Sequence, residues 1–174
     1  MNVRNEKGFT LAEVLVSAAI LGVGVMGMAA MQGMSLGKNV DANDLSTVTN
    51  VAADMMERIQ NNRQYSWAYH NLDTTGPGNC LAGGMPAPPP SGVAPIPANK
   101  PQIIQTIQGD CTQWRARVLG SNLMNAVGLV TAIQVPAPLN VTGAMQVTVR
   151  LNWNERGSGQ RARTVAFQTL VVPE

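Results

Sequence analysis

An uncharged run over residues 14–37 constrains the fold of this chain more than any other feature of its sequence. The run is longer than the roughly 20 apolar residues that a helix needs to cross the hydrocarbon core of a bilayer. Arg4 and Lys7 precede it, and Lys38 is the only basic residue close behind it. Because positive charge is enriched on the cytoplasmic side of membrane helices, the sequence predicts one membrane-spanning helix with a cytoplasmic N-terminus.

A cleaved secretory signal peptide is the alternative interpretation of this segment. Such a peptide has a shorter apolar core with a cleavage site of small residues behind it, which Gly27, Ala29 and Ala30 could supply. The apolar run continues through Met34, however, and an acidic residue, Glu13, stands near its beginning. Both features favour a helix that is retained in the mature protein.

The stretch KGFTLAEVLV at residues 7–16 combines a basic residue, a glycine, an aromatic residue and a glutamate at a fixed offset. In this it resembles the processing signal of type IV pilins and of type II secretion pseudopilins. The resemblance implies that prepilin peptidase removes a leader, residues 1–8, by cutting between Gly8 and Phe9. Phe9 then becomes the N-methylated first residue of the mature protein. Ala12 stands where the family usually has a bulkier aliphatic residue, and this leaves the predicted cleavage intact.

Glu13 is the fifth residue of the predicted mature chain and lies in an otherwise apolar segment. A carboxylate at the centre of a bilayer costs about 2.5–3.5 kcal/mol on insertion scales. Cleavage before Phe9 would create an α-amine one helical turn away, and two opposite charges can neutralise one another, within a subunit or between neighbours. We therefore predict that Glu13 guides docking of this subunit onto the N-terminus of a neighbour.

Beyond Lys38 the sequence becomes amphipathic. Apolar residues recur at spacings of three and four, which predicts a buried helix face. That face comprises Leu45, Val48, Ala52, Met55 and Ile59. The charged residues expected mostly off this face are Asp41, Asp44, Asp54, Glu57 and Arg58. Because no proline precedes Pro77, the sequence predicts one helix over about residues 9–63, whose second half packs on a globular domain.

The C-terminal third alternates apolar and polar residues, which is typical of half-buried antiparallel strands. AMQVTVRLNWN predicts a strand whose core-facing residues are Val147, Val149, Leu151 and Trp153. After a turn at ERGSGQ, RARTVAFQTLVV predicts a second strand with one face formed by Val165, Phe167 and Val171. Residues 129–134 predict a third strand. A helix followed by consecutive strands indicates an α+β fold with the long helix on an antiparallel sheet, as in the pilin fold that the resemblance implies.

The segment between the long helix and the strands is less regular. Residues 74–101 are rich in glycine and proline and predict a loop, with polyproline character at residues 88–90. Asp110 can cap a short helix that runs to about Val127. The buried face of that helix would consist of Trp114, Val118 and Leu119.

The two cysteines, Cys80 and Cys111, predict one disulfide in an exported chain, and two unpaired buried thiols are the alternative. With His70 they could not form a four-ligand zinc site without carboxylates, so we expect no metal. His70 is the only histidine, and a surface or packing role is expected for it. No nucleophile with a base and no catalytic carboxylate pair is evident, so we expect neither catalysis nor a cofactor.

The formal net charge of +2 and the scattered arginines give no basic stripe, so we expect no nucleic-acid partner. Among pilin-like proteins the chain most resembles the minor pilins. This resemblance rests on GFTLAEVLV, the continuation VGVMGMAAMQ, the helical segment AADMMERIQNN and the strand VTVRLNW.

The resemblance to minor pilins implies a division of the mature chain and a function. Residues 9–37 would be the transmembrane and assembly half of the helix, and residues 38–174 a periplasmic domain. The protein would start in the inner membrane, help to initiate type IV pilus assembly and could stay at the pilus tip. Its partners would be other minor pilins, the major pilin and a tip adhesin. The alternatives are a minor pseudopilin of type II secretion and an adhesive or binding module that is anchored by the pilin helix.

Overall fold

The computed structural model describes residues 9–76, 80, 89, 93, 95–135, 143–156 and 161–172. The predicted leader at residues 1–8 lies outside this part of the chain. So do most of the predicted loop, including the polyproline stretch apart from Pro89, and most of the ERGSGQ turn.

The described residues form two helices, a 3₁₀ segment and three strands. Helix α1 spans Leu11–Asn61, the 3₁₀ segment Arg63–Tyr69 and helix α2 Pro101–Gly120. The strands are β1 at Met124–Gln134, β2 at Met145–Asn154 and β3 at Ala162–Val171. The predicted α+β class is confirmed. The chain divides into Met1–Asn43, called the N-terminal unit below, and Asp44–Glu174, called the globular unit.

Helix α1 is continuous over 51 residues, with ends close to those predicted. By length and composition it is able to cross a membrane once. Within the globular unit it buries Asp44, Val48, Val51, Ala52, Met55 and Ile59. Two details of the predicted face are wrong. Leu45 is 49% exposed because it lies on the rim of this face, whereas Asp44 lies within it.

The three strands form one antiparallel sheet in the order β1-β2-β3. The alternation predicted for β2 is confirmed, since Val147, Val149, Leu151 and Trp153 are all buried. On β3, Val165 and Phe167 are half-buried and Val171 is buried. β1 begins at Met124, before the predicted residue 129, and a register irregularity separates Met124 from Val127.

The core of the globular unit lies between the inner face of the sheet and the buried face of α1. The register aligns Val130, Val149 and Phe167 across the three strands. Val130 and Val149 are fully buried together with Met55 and Ile59 of α1. The 3₁₀ segment adds Tyr65, Trp67 and Tyr69 to this cluster. Burial of apolar surface on this scale is the main force that holds such a domain together.

Helix α2 differs from its prediction in position and length. It begins at Pro101 instead of Asp110 and ends at Gly120 instead of Val127. Proline suits the first position of a helix because the N–H that it lacks has no partner there. Asp110 is therefore not a cap, and it lies in the middle of the helix.

The buried face of α2 is partly as predicted. Trp114 and Val118 are buried, together with Ile107 and Cys111. Leu119 is 55% exposed, so its predicted burial is wrong. The indole Nε1 of Trp114 donates a hydrogen bond of 2.9 Å to the carbonyl oxygen of Val51. This bond ties α2 to the part of α1 that belongs to the globular unit.

Cys80 and Cys111 form a disulfide that joins α2 to residue 80, across a sequence separation of 31. A cross-link of this separation restricts the unfolded chain and stabilises the fold by about 3–4 kcal/mol in the chain-entropy model.

We expect the Cys80→Ala/Cys111→Ala double variant to unfold at a Tm lower than wild type by about 10 °C, given the usual relation between stability and Tm. Thermal unfolding followed by tryptophan fluorescence measures this, because Trp67, Trp114 and Trp153 all lie in the globular unit. A reductant should lower the Tm of wild type and leave that of the double variant unchanged. Equal Tm values for wild type and the double variant would contradict the expected stabilisation.

Candidate functional site: the start of α1 and the Asp110 cluster

The first turn of α1 has a defined cap. Phe9 and Thr10 are not helical, and Leu11 is the first helical residue. The backbone N–H of Glu13 is directed to Thr10, with 3.0 Å to its carbonyl oxygen and 3.3 Å to its Oγ1. A threonine at the N-cap followed three residues later by glutamate is the capping-box sequence, TLAE. Thr10 is thus the N-cap, a role that was not predicted although TLAE is a local pattern in the sequence.

The carboxylate of Glu13 makes no hydrogen bond or ion pair with any described residue. Its position in the first turn is favourable, because the positive end of the helix dipole lies there. Phe9 is the first described residue and Glu13 lies in the first turn of α1, whereas Gly8, the other residue of the predicted cleavage site, lies outside the described residues.

Every residue from 9 to 43 is exposed, including the large apolar side chains of the first eight turns of the helix. An apolar surface of this extent is far larger than a soluble monomer presents to water. The N-terminal unit therefore needs a lipid or protein environment to cover it.

In the globular unit a group of polar side chains joins α1, α2 and the 3₁₀ segment; we call it the Asp110 cluster. Its members are Asp54, Arg58, Asn62, Tyr69 and Asp110. The Arg58 Nη1 donates to Asp110 Oδ1 at 2.9 Å, and its Nε donates to Asp54 Oδ2 at 3.1 Å. The Tyr69 hydroxyl donates to Asp110 Oδ2 at 2.7 Å. One carboxylate on α2 thereby holds two other elements in place.

Burial and hydrogen bonding shift two ionisations in the Asp110 cluster. Partial burial works to lower the pKa of Arg58, but the hydrogen bonds to Asp54 and Asp110 outweigh it, so the pKa is raised. Burial raises the pKa of Tyr69, and its hydrogen bond to the Asp110 carboxylate raises it further. Arg58 therefore stays charged and Tyr69 stays protonated at neutral pH. Both act as hydrogen-bond donors to Asp110, which is a structural arrangement.

We expect Asp110→Ala to destabilise the globular unit by about 2–3 kcal/mol, because the hydroxyl of Tyr69 loses its acceptor and the guanidinium of Arg58 loses one of its two carboxylate partners while Asp54 remains. The matched control is Glu155→Ala, which removes the more exposed ion pair with Arg163 and should cost less than about 1 kcal/mol. Urea unfolding of the two variants side by side measures the difference. Equal losses would show that the Asp110 cluster contributes no more than an ordinary surface pair.

His70 has a structural contact at the edge of the sheet. It is half-buried, and its Nδ1 accepts a hydrogen bond of 3.1 Å from the backbone N–H of Ala132 on β1. Among the described residues no group of three or more His, Cys, Asp or Glu side chains is placed to hold a metal ion.

The Asp110 cluster was only partly predictable from the sequence. The spacing of four between Asp54 and Arg58 predicts an ion pair on one helix face, so half of the cluster had a local signal. The contact to Asp110 crosses 52 positions of the chain, and nothing in the local pattern indicates it.

Residues 3–29 match the family model of the prokaryotic N-terminal methylation motif. The matched segment includes the predicted cleavage site and the first part of α1, and it does not extend to the globular unit. No curated protein and no solved structure matches the chain. The motif supports a protein of type IV pilin or pseudopilin type, which is processed by a prepilin peptidase and anchored in the inner membrane.

Proposed function

We propose that this protein is a minor pilin that helps to initiate type IV pilus assembly. The observation that carries the proposal is the methylation motif at residues 3–29, which from Leu11 onward coincides with the start of a 51-residue helix whose first part is apolar and exposed. A segment of this kind is suited to two environments in turn. It is first surrounded by lipid and then by the equivalent helices of other subunits.

The processing steps follow from the motif. Prepilin peptidase cuts between Gly8 and Phe9 on the cytoplasmic side, and Phe9 is then N-methylated. Residues 9–37 hold the subunit in the inner membrane, and residues 38–174 lie in the periplasm until the subunit enters the filament. The two cysteines, joined as a disulfide, fit an oxidising compartment.

Glu13 has a defined part in this proposal. Its carboxylate is unpaired among the described residues, and Glu13 follows Phe9, whose amine is freed by cleavage, by four positions in the chain. An unpaired carboxylate in hydrocarbon is costly, so a subunit gains stability when Glu13 meets the N-terminal amine of a neighbour. This interaction sets the axial register of the incoming subunit against the growing filament.

Within the minor pilins, the resemblance is to the type IV pilus modification protein, PilV. Three segments support this choice, namely VGVMGMAAMQ, AADMMERIQNN and VTVRLNW. The partners would then be other minor pilins, the major pilin and a tip adhesin, and the protein would stay at the filament tip.

We expect deletion of the gene to abolish surface pili or reduce them at least tenfold, because nucleation limits the number of filaments. Electron microscopy and the yield of sheared pili measure this, and complementation with the wild-type gene is the control. Secretion of exoproteins is assayed in the same strains. Normal piliation together with lost secretion would overturn the proposal and assign the chain to a type II secretion pseudopilus.

A further inference from the structure

The two edges of the sheet differ in whether other described residues form hydrogen bonds to them. The outer edge of β1 is covered by the segment that follows the 3₁₀ helix. Asn71 N–H donates to the carbonyl of Val130 at 2.9 Å, Val130 N–H donates to Leu72 at 2.8 Å, and Thr74 N–H donates to Gly128 at 3.0 Å. An isolated bridge and the side chain of His70 extend this cover. The outer edge of β1 is therefore occupied over residues 128–132.

The outer edge of β3 has no such cover within the described residues, where β3 pairs with β2 alone. Proteins usually protect a free edge with a proline, a lysine, a bulge or a very short strand. β3 has 10 residues, contains neither proline nor lysine, and pairs with β2 in an unbroken register. It presents a long row of backbone donors and acceptors to another chain.

The inner-face side chains of β3 are also less buried than those of β2. The inner-face residues of β2 are fully buried, whereas Val165 and Phe167 on the inner face of β3 are only half-buried. An added strand would bring a further row of inward-facing side chains next to these two. Its apolar residues would exclude water from Val165 and Phe167 in the way that β3 does for β2.

Charge indicates the chemistry of the strand that would fit. β2 and β3 contain no acidic residue, although Glu155 directly follows β2, and the arginines of the two strands are Arg150 and Arg163. Arg163 is paired with Glu155, but Arg150 has no ion-pair partner among the described residues. The register places Arg150 beside Ala166 on the outer face of the sheet. Because the side chain of Ala166 is only a methyl group, it leaves room for Arg150 to contact a side chain on a strand added to the free edge of β3.

We propose that the free edge of β3 binds an extended, acidic segment of another polypeptide by strand addition. The backbone supplies the hydrogen bonds, and alternate apolar side chains of the segment extend the inner face beyond Val165 and Phe167. An acidic side chain on the opposite face meets Arg150. Strand addition of this kind is a general mode of peptide recognition. The site belongs to the globular unit, so it does not depend on the function proposed for the N-terminal unit.

Binding is tested with two fluorescent peptides and the full-length protein in detergent. One peptide has the sequence of β2, MQVTVRLNWN, which pairs with the other edge of β3 in the fold. The other is the same peptide with glutamate in place of its arginine. We expect the acidic peptide to bind about tenfold more tightly at low salt, and the difference to shrink at high salt because exposed charges are screened.

Substitutions in the protein test the place of binding. Arg150→Gln should remove the preference for the acidic peptide, whereas Lys100→Gln, which neutralises an exposed cation outside the sheet, should keep it. Gln168→Pro and Thr169→Pro test the edge itself. Successive N–H groups of a strand face opposite sides, so one of these prolines removes an N–H from the free edge and the other breaks pairing with β2. The variant that keeps the Tm of wild type should lose peptide binding.

Three results would overturn the proposal. The first is no binding of either peptide, and the second is equal binding of both peptides that Arg150→Gln does not change. The third is self-association of the protein in sedimentation that the well-folded proline variant abolishes, because the occupant would then be a second copy of this chain. If neither proline variant folds, the proposal is still tested by whether Arg150→Gln, but not Lys100→Gln, removes the preference for the acidic peptide.

Discussion

Replacing Gly128 by alanine is expected to destabilise the globular unit by about 3 kcal/mol, the upper part of the range for overpacked cores, and to lower its Tm by about 10 °C. A Cβ at this position would lie 2.8 Å from both Cζ2 and Cζ3 of the Trp114 indole, and closer still to its Cη2. The fully buried indole cannot withdraw, because its Nε1 is bonded to the carbonyl of Val51.

The backbone at Gly128 cannot move away either. Its N–H donates to Thr74 Oγ1 at 2.8 Å, its carbonyl accepts from the N–H of Thr74 at 3.0 Å, and β1 pairs it with Leu151. The matched control is Gly109→Ala, within α2, where an added Cβ meets nothing within 4 Å. That change should stabilise the protein by up to about 1 kcal/mol, because alanine favours the helix. A lower Tm for Gly128→Ala together with an equal or higher Tm for Gly109→Ala would confirm the close contact between Gly128 and Trp114. A Tm for Gly128→Ala at or above that of wild type would contradict it.

Replacing Glu13 by alanine is expected to lower the amount of this protein in sheared pili at least tenfold. A tenfold change corresponds to about 1.4 kcal/mol, which is well below the cost of leaving a charge unpaired in hydrocarbon. Under the proposed function, the variant lacks the group that would pair with the N-terminal amine of a neighbour. Immunoblots of the sheared fraction and of the membrane fraction measure incorporation and expression separately.

Two further variants separate docking from processing. Asp41→Ala removes another exposed carboxylate of α1, beyond the apolar run, and should enter pili normally. Glu13→Gln keeps the shape of the side chain without its charge and should fail like alanine. N-terminal sequencing must find Phe9 first in every variant, so that a loss of cleavage is recognised. Normal incorporation of processed Glu13→Ala would refute a docking role for this carboxylate.

Local patterns in the sequence predicted the elements whose cause is local. The uncharged run and the absence of proline predicted α1 closely, because a helix depends on residues three and four apart. Strict alternation predicted β2 and the burial of Val147, Val149, Leu151 and Trp153, because successive side chains of a strand face opposite sides. The TLAE capping box and Pro101 at the start of α2 were also local signals, and both were overlooked.

The candidate site divides in the same way. Glu13 and Phe9 were predicted from the contiguous stretch KGFTLAEVLV, which lies within the methylation motif matched at residues 3–29. The Asp110 cluster was not, because its members come from α1, α2 and the 3₁₀ segment. The predicted capping role of Asp110 is wrong, because an acidic residue before an apolar pattern has the same local sequence whether it begins a helix or lies within one.

By itself, the sequence determined the long apolar helix, its processing motif and the faces of β2, because these depend on chemistry between near neighbours in the chain. The tertiary structure alone decided what distant segments share. It placed Trp114 over Gly128, Asp110 between Arg58 and Tyr69, and residues 71–74 along β1, while the described residues leave β3 open. Such contacts depend on how whole elements pack, and packing is a property of the folded domain that no short stretch of sequence contains.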